Sequence, residues 1–277
     1  MFFLYLEMRK MKLHYLLFTA LFIACNKAKV ETKSTIEPEK MEVQKTTLSA
    51  IDSVSVNDSV KVNENLVVAF KSKALVFENI KNKGVLDSIY AVKNIDLDEY
   101  TSENILSALK KQQQNYFEQN KKDASDLVRD FAQTWYENSD MKVHSNENNL
   151  LTIKYTSDGF SGGAHGFYNE TYKVFDLKEN KTVQLSDILM TPDSNIWKRA
   201  LMDNFLKSDA GKGQSEMLLV KEISPNNNFY FDNESLYFLY NQYEITAYAA
   251  GPVLIKIPFS DIKLMVKPEF LKRIAVQ

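Results

Sequence analysis

Hydrophobic positions change their period several times along the chain. Residues 13–24 form a mainly apolar run, with Lys10 and Lys12 before it and Cys25 closing it. Residues 26–62 carry Lys, Glu, Thr, Ser, Val and Asn, no aromatic and one proline. Such a stretch buries too little apolar area to offset its ordering entropy, so a disordered spacer is expected there. Order is expected from about Leu66, where 66–70 and 74–77 are rich in β-branched and aromatic residues and read as two strands. Ser102 is placed to cap a helix from Glu103, with Ile105, Leu106, Leu109, Tyr116 and Phe117 at helical spacing. Leu127, Val128 and Phe131 extend a helical stripe to about Ala132.

From Trp135 the period shortens to two. Residues 141–144 and 150–155 flank an Asn/Glu turn, which predicts a hairpin. Residues 168–177 alternate again and run into Glu179-Asn180. Ser194 is placed to cap a second helix whose buried face is read as Ile196, Trp197, Ala200, Leu201 and Phe205. Strands follow at 229–231, 236–240 and 253–257, then short helices after Ser260 and Pro268. Runs of strands with two longer helices, short C-terminal helices and no repeated βαβ unit predict an α+β fold with a mainly antiparallel sheet.

The apolar run at 13–24 is too short to span a bilayer, which takes about 20 residues. Its charged start and small residue before cysteine are those of a bacterial lipoprotein signal. Residues 1–24 are therefore expected to be a signal peptide, with Cys25 acylated and 25–62 a lipidated linker. The body is expected over 63–277, as an N-terminal part at 63–145 and a C-terminal part at 146–270. Removal of 1–24 takes away three cations (Arg9, Lys10, Lys12) and one anion (Glu7), moving the formal net charge from -2 to -4. That balance offers no basic face for nucleic acid. With one cysteine and three histidines, neither a disulfide framework nor a cysteine-based metal site is expected, and no cofactor is implied.

Two stretches stand out. Four of the eight glycines lie in Gly159-Phe160-Ser161-Gly162-Gly163-Ala164-His165-Gly166. No Lys-Ser/Thr pair completes a phosphate loop, and although Gly159-Phe160-Ser161-Gly162-Gly163 has the Gly-x-Ser-x-Gly spelling, it leads into an alternating stretch and not into the helix of a nucleophile elbow, so the segment reads as a structured loop between strands. Eight aromatics fall within residues 229–248, and strand alternation turns about half of a strand's side chains away from the core. Some of these tyrosines are therefore expected on a surface, where they supply rigid contact area with a polar tip. Glu244 is the only acid of the following loop. Glycosidase chemistry takes two carboxylates, and nothing in the spacing selects among Asp158, Glu170, Asp176 and Asp187 as the second.

The order of Ser161-Gly162-Gly163-Ala164-His165-Gly166, Phe175-Asp176-Leu177, Leu185-Ser186-Asp187-Ile188-Leu189, Gln242-Tyr243-Glu244-Ile245, Ala249-Ala250-Gly251-Pro252 and Ile257-Pro258-Phe259 resembles the extracytoplasmic domain shared by the RsiV anti-sigma factor and the N-terminal part of the peptidoglycan deacetylase PdaC. In the RsiV member this domain binds lysozyme, and the binding triggers signalling. Where the family often has Ala-Pro-Tyr, this chain has Thr246-Ala247-Tyr248. The expectation is the shared domain alone on a lipid tether, without a cytosolic sigma-binding segment or a deacetylase domain.

The resemblance implies a non-catalytic, periplasm-facing envelope protein that recognises a muramidase-like protein or a peptidoglycan glycan. The expected binding residues are Ser161, Gly162, Gly163, His165, Gly166, Tyr243, Glu244 and Tyr248. The glycines would let backbone amides approach the partner, Tyr243 and Tyr248 would supply contact area, and Ser161 and Glu244 polar specificity. A rival reading is a cell-wall hydrolase or deacetylase-type enzyme, with His165 as general base and Asp158 or Glu244 as its partner. A third is a purely structural lipoprotein.

The leader carries its own test. Cys25→Ser should move the protein from the membrane to the soluble fraction on cell fractionation, because the acyl chains provide the stable hold on the bilayer. An unchanged membrane fraction would remove the anchor.

Overall fold

A computed structural model describes residues 51–124, 131–192, 195–209 and 213–274. The leader, Cys25, the linker up to residue 50, Leu127, Val128 and Ser194 lie outside the described residues. Strands β1 (Ile51–Asn63) and β2 (Leu66–Phe77) are followed by helices α1 (Lys83–Ala91) and α2 (Ser102–Asp123). Strands β3 (Gln133–Glu147), β4 (Leu150–Phe160), β5 (Phe167–Asp176) and the short β6 (Lys181–Thr182) complete a six-stranded sheet in chain order. Then come α3 (Leu185–Ile188), α4 (Asn195–Ser208), a three-stranded sheet of β7 (Phe229–Phe231), β8 (Ser235–Tyr240) and β9 (Val253–Pro258), and the short helices α5 (Phe259–Ile262) and α6 (Pro268–Ile274). The fold is α+β and mostly antiparallel. Among the described residues no helix is long and apolar enough to cross a membrane.

Among the described residues only β2 and β3 pair in parallel. A parallel pair needs a long crossover, and α1 and α2 provide it. The sheet buries both faces. On one, Phe70, Met141, Ile153, Tyr155 and Phe175 pack with Val85, Ile89 and Tyr90 of α1 and Ile105 and Leu109 of α2. On the other, Leu150, Tyr172 and Val174 join Trp197, Leu201 and Phe205 of α4 and Phe238, Ile255 and Ile257 of the second sheet.

Several expectations are corrected. Residues Ile51–Asn63, the last part of the expected 25–62 linker, form a strand, so the structure is ordered ahead of Leu66 and the expected 63 boundary falls at the end of that strand. The average composition of that stretch hides the period-two series Val54, Val56, Val60 and Val62, whose side chains pack into the apolar clusters on the helical side. Pairing with β2 runs the whole length of β1 and satisfies its backbone. Residues 66–77 form one strand rather than two. Thr101, not Ser102, caps α2, its Oγ1 accepting from the Asn104 N–H at 3.1 Å. Phe131 and Ala132 are not helical and Phe131 is exposed. Ile196 is exposed too, since the stripe Trp197, Leu201 and Phe205 already fills the buried side of α4. Helix α1 was not anticipated. Asn82 caps it by accepting from Val85 N–H at 3.1 Å, but at nine residues it is held mainly by tertiary contacts such as the Tyr90 hydroxyl on the Leu75 carbonyl at 2.6 Å.

The two sheets meet along the edge of β5. Strand β6 covers only Phe175 and Asp176, which leaves the earlier part of that edge unpaired by strands. Two asparagine side chains of the C-terminal half fill the gap. Asn241 Oδ1 accepts from the Glu170 N–H at 2.8 Å and its Nδ2 donates to the Glu170 carbonyl at 3.1 Å. Asn228 Oδ1 accepts from the Tyr172 N–H at 2.7 Å and its Nδ2 donates to the same Glu170 carbonyl at 2.7 Å. A primary amide has the donor and acceptor of a peptide group, so each asparagine acts as one residue of a missing strand. Asn228→Ala and Asn241→Ala should each destabilise the protein by about 1–3 kcal/mol in urea unfolding, because each strands partly buried backbone groups of β5.

Candidate functional site

The glycine-rich segment is the loop between β4 and β5. Its glycines do two different jobs. Gly162 and Gly163 have φ of 93° and 91°, conformations that side chains disfavour, and they turn the chain. Gly159 and Gly166 instead permit close packing at the base of the loop. A Cβ on Gly166 would lie 2.3 Å from the Gly159 carbonyl oxygen, and one on Gly159 would lie 2.8 Å from the Tyr136 carbonyl oxygen and 2.6 Å from the Phe167 ring. The missing side chain of Gly166 is thus explained inside the protein.

The second loop, residues 241–252, is tightly held. Tyr243 has φ of 68°, unusual for an aromatic residue, and is locked by its N–H donating to the Thr246 carbonyl at 3.1 Å. Glu244 accepts from the Asn241 N–H at 3.0 Å, while its own N–H donates to the Asn241 carbonyl at 3.1 Å. A β-bridge ties Thr246 to Leu218, and the Gln214 side chain donates to the Ala250 carbonyl at 2.9 Å.

The two loops converge on His165. Its ring stacks on Tyr248 with centroids 3.9 Å apart and planes 23° apart. Its Nδ1 lies 2.9 Å from the Gly166 carbonyl oxygen and its Nε2 lies 3.3 Å from the Tyr243 hydroxyl. A carbonyl only accepts, so in the neutral imidazole Nδ1 carries the proton and Nε2 accepts from Tyr243. Tyr243 and Tyr248 are themselves 5.8 Å apart, centroid to centroid. The result is a three-ring patch in which Tyr243 is 58% exposed. Ser161, Gly163 and Glu244 are also exposed, and Gly162 and Gly166 partly so. Most other aromatics of 229–248 are core: Phe229, Tyr230, Phe231, Phe238 and Tyr240 are buried.

The carboxylates named with His165 do not reach it. Asp158 accepts from the Asn138 amide at 3.0 Å, and Glu244 caps its own turn. The other candidate acids are engaged as well. Asp176 pairs with Arg273, and Asp187 with Lys181 at 2.6 Å. Among the described residues no group of His, Cys, Asp or Glu is placed to hold a metal ion.

Joined to the second loop through Asn241 is Glu170, whose supporting role sequence reasoning missed. It accepts from the hydroxyls of Tyr168 and Tyr172 at 2.7 Å each and pairs with Lys154 at 2.7 Å. Burial alone would raise its pKa, but Lys154 and the two hydroxyls outweigh it and hold the carboxyl below its ordinary value. Its backbone is the one clamped by Asn241, so Glu170 joins β5 to the second loop. The only sequence signal was its place between two tyrosines at alternate positions, Tyr168-Asn169-Glu170-Thr171-Tyr172.

Comparison with known proteins divides the chain at β5. Residues 61–168 match the family described as Deacetylase PdaC, and residues 174–260 match a family described as a protein of unknown function, DUF3298. The two matches lie in tandem and agree with the family resemblance read from the sequence. A DUF3298-family protein from Bacteroides fragilis NCTC 9343 has the same fold, with a TM-score of 0.64 and 24% identity over 82% of this chain and 98% of that one. A DUF3298-family protein from Pseudomonas aeruginosa PAO1 aligns with a TM-score of 0.49 and 17% identity, over 79% of this chain and 95% of that one. No curated protein matches the chain.

The Glu170 cluster gives a pH signature. A carboxyl held below its ordinary 4.5 contributes stability that is fully present above pH 4.5 and lost as pH falls through the lower folded-state value. Glu170→Gln should lower the urea midpoint at pH 7, and the gap to wild type should close as pH drops below 4.5. A gap that stays constant with pH would show that the carboxylate charge is not what the cluster stabilises.

Proposed function

We propose that this protein is a non-catalytic binding protein of the bacterial cell envelope, held to the membrane through Cys25, and that the His165–Tyr243–Tyr248 patch contacts a muramidase-like protein. The observation that carries this reading is the convergence of two loops, 78 residues apart at the His165–Tyr243 contact, into one exposed and rigid aromatic surface. Rigid tyrosines lose little conformational entropy on contact, and such residues dominate binding energy at protein interfaces. Both ring nitrogens of His165 are engaged within the patch, and neither Asp158 nor Glu244 orients it. That arrangement favours a contact surface over a general base. The tandem PdaC and DUF3298 segments are consistent with the extracytoplasmic domain resemblance but carry no activity of their own to this chain.

Calorimetric titration of the purified full-length chain with a lysozyme tests this reading. Saturable binding is expected, and Tyr243→Ala and Tyr248→Ala should each weaken it by more than about 1 kcal/mol, roughly fivefold in Kd. Absence of binding, or unchanged affinity in a folded double variant, would overturn it. Titration with peptidoglycan fragments alongside shows whether a glycan takes the patch instead.

A further inference from the structure

The helical side of the six-stranded sheet contains a row that its core does not explain. In register across four strands stand Ser72 on β2, Ser139 on β3, Ser157 on β4 and Asn169 on β5. On one side the neighbouring row is Met141, Tyr155 and Thr171, and on the other it includes Phe70 and Phe167. Small polar residues between larger ones leave space. A cleft of about 540 Å³ opens there, walled by the residues after α1 and by Gln112, Asn115 and Tyr116 of α2. Ser72 is buried, Ser139 and Ser157 are half-buried and Asn169 is exposed, so the row runs from the core out to solvent and lines an open cleft with polar groups.

The floor of the cleft is preorganised. Ser72, fully buried, shares a hydrogen bond of 2.8 Å with Ser139, and Lys93 Nζ donates to Ser139 Oγ at 2.8 Å. The Gln112 amide holds the backbone beneath Lys93 by donating to its carbonyl at 2.8 Å. Among the described residues no carboxylate forms an ion pair with Lys93, whose ammonium, with three donors, gives one of them to Ser139 Oγ. Burial pushes this ammonium down to about 8 despite the pull of Asp140 and Glu137. Those two acids also line the cleft, so its charge does not favour a phosphate or a polyanion.

The lining is a set of hydroxyl and amide groups, the Lys93 ammonium, the Glu137 and Asp140 carboxylates, and the half-buried ring of Tyr116. Hydroxyls and amides match the hydroxyls of a sugar, and an aromatic ring matches the apolar C–H face of a pyranose. The volume falls within the roughly 300–1,000 Å³ of small-molecule sites, enough for about one or two rings.

We propose that this cleft is a saccharide-binding site, in which Lys93 and Ser139 grip ring oxygens at the floor and Asn115 contacts the sugar at the rim. The site is separate from the His165–Tyr243–Tyr248 patch and does not rest on the reading of that patch.

The test uses the purified full-length chain with chitobiose, cellobiose and inorganic phosphate as probes, read by saturation-transfer NMR and calorimetry. At least one disaccharide should bind and phosphate should not. Lys93→Met should weaken the sugar at least tenfold, and Ser157→Leu, which fills the floor, should abolish binding. Should Ser157→Leu fail to fold, Asn115→Ala on the exposed rim of α2 serves instead, with an expected loss of several-fold. The proposal is overturned if neither disaccharide binds, if phosphate competes, or if Lys93→Met binds as well as the wild type.

Discussion

The structure depends on how the exposed edge of β5 is satisfied. A strand edge buried against another layer must find partners for its N–H and C=O groups, because each unpaired group carries a desolvation penalty. Here β6 is two residues long and covers only the end of β5. Asn228 and Asn241 complete the edge with their side-chain amides at Glu170 and Tyr172. Because both asparagines flank the strands of the second sheet, the same bonds set where that sheet lies. Arg273 of α6 adds a second clamp further along, pairing with Asp176 and reaching the Asn148 carbonyl at 3.3 Å. Burial would raise the Asp176 carboxyl, yet the Arg273 guanidinium and the N–H groups of Glu179 and Lys178 hold it below its ordinary value.

The aromatic patch follows from that seam. Asn241 is bound to β5 by its side chain, and Tyr243, two residues later, is locked by its own turn. The β4–β5 loop projects from the same strand, with Gly159 and Gly166 packed too closely at its base for any side chain. Two anchored loops on one strand leave little freedom in where their tips meet. A non-glycine residue at positive φ, as at Tyr243, carries strain that the surrounding bonds must hold, a feature common at recognition sites.

The two faces of the large sheet serve different ends. The face toward the second sheet is filled by large side chains, among them Trp197, Phe205, Phe238 and Tyr172. The face under α2 is apolar near α1 but is interrupted by the serine row and the Lys93–Ser139–Ser72 chain. A polar chain of this kind gains specificity only when its members find partners, as Lys93, Ser139 and Ser72 find one another here.

Local chemistry in the sequence determined much of this protein. Alternation marked β3 to β5 and β7 to β9, and helical spacing marked α2 and α4. The turn at Asn148 and Asn149, both at positive φ, closes the hairpin that their residue types favour. The strand at 51–63 escaped notice because its valine alternation is diluted by polar residues and becomes stable only against β2 and α2. Periodicity also could not foresee that β2 and β3 pair in parallel, since pairing partners are chosen by long-range packing. Nor could it place Asn228 and Asn241 on β5, bring His165 between Tyr243 and Tyr248, or align four small polar residues into one row. Those outcomes depend on register and on how two sheets dock. Both are fixed only when distant segments satisfy each other's backbone groups and bury each other's apolar faces.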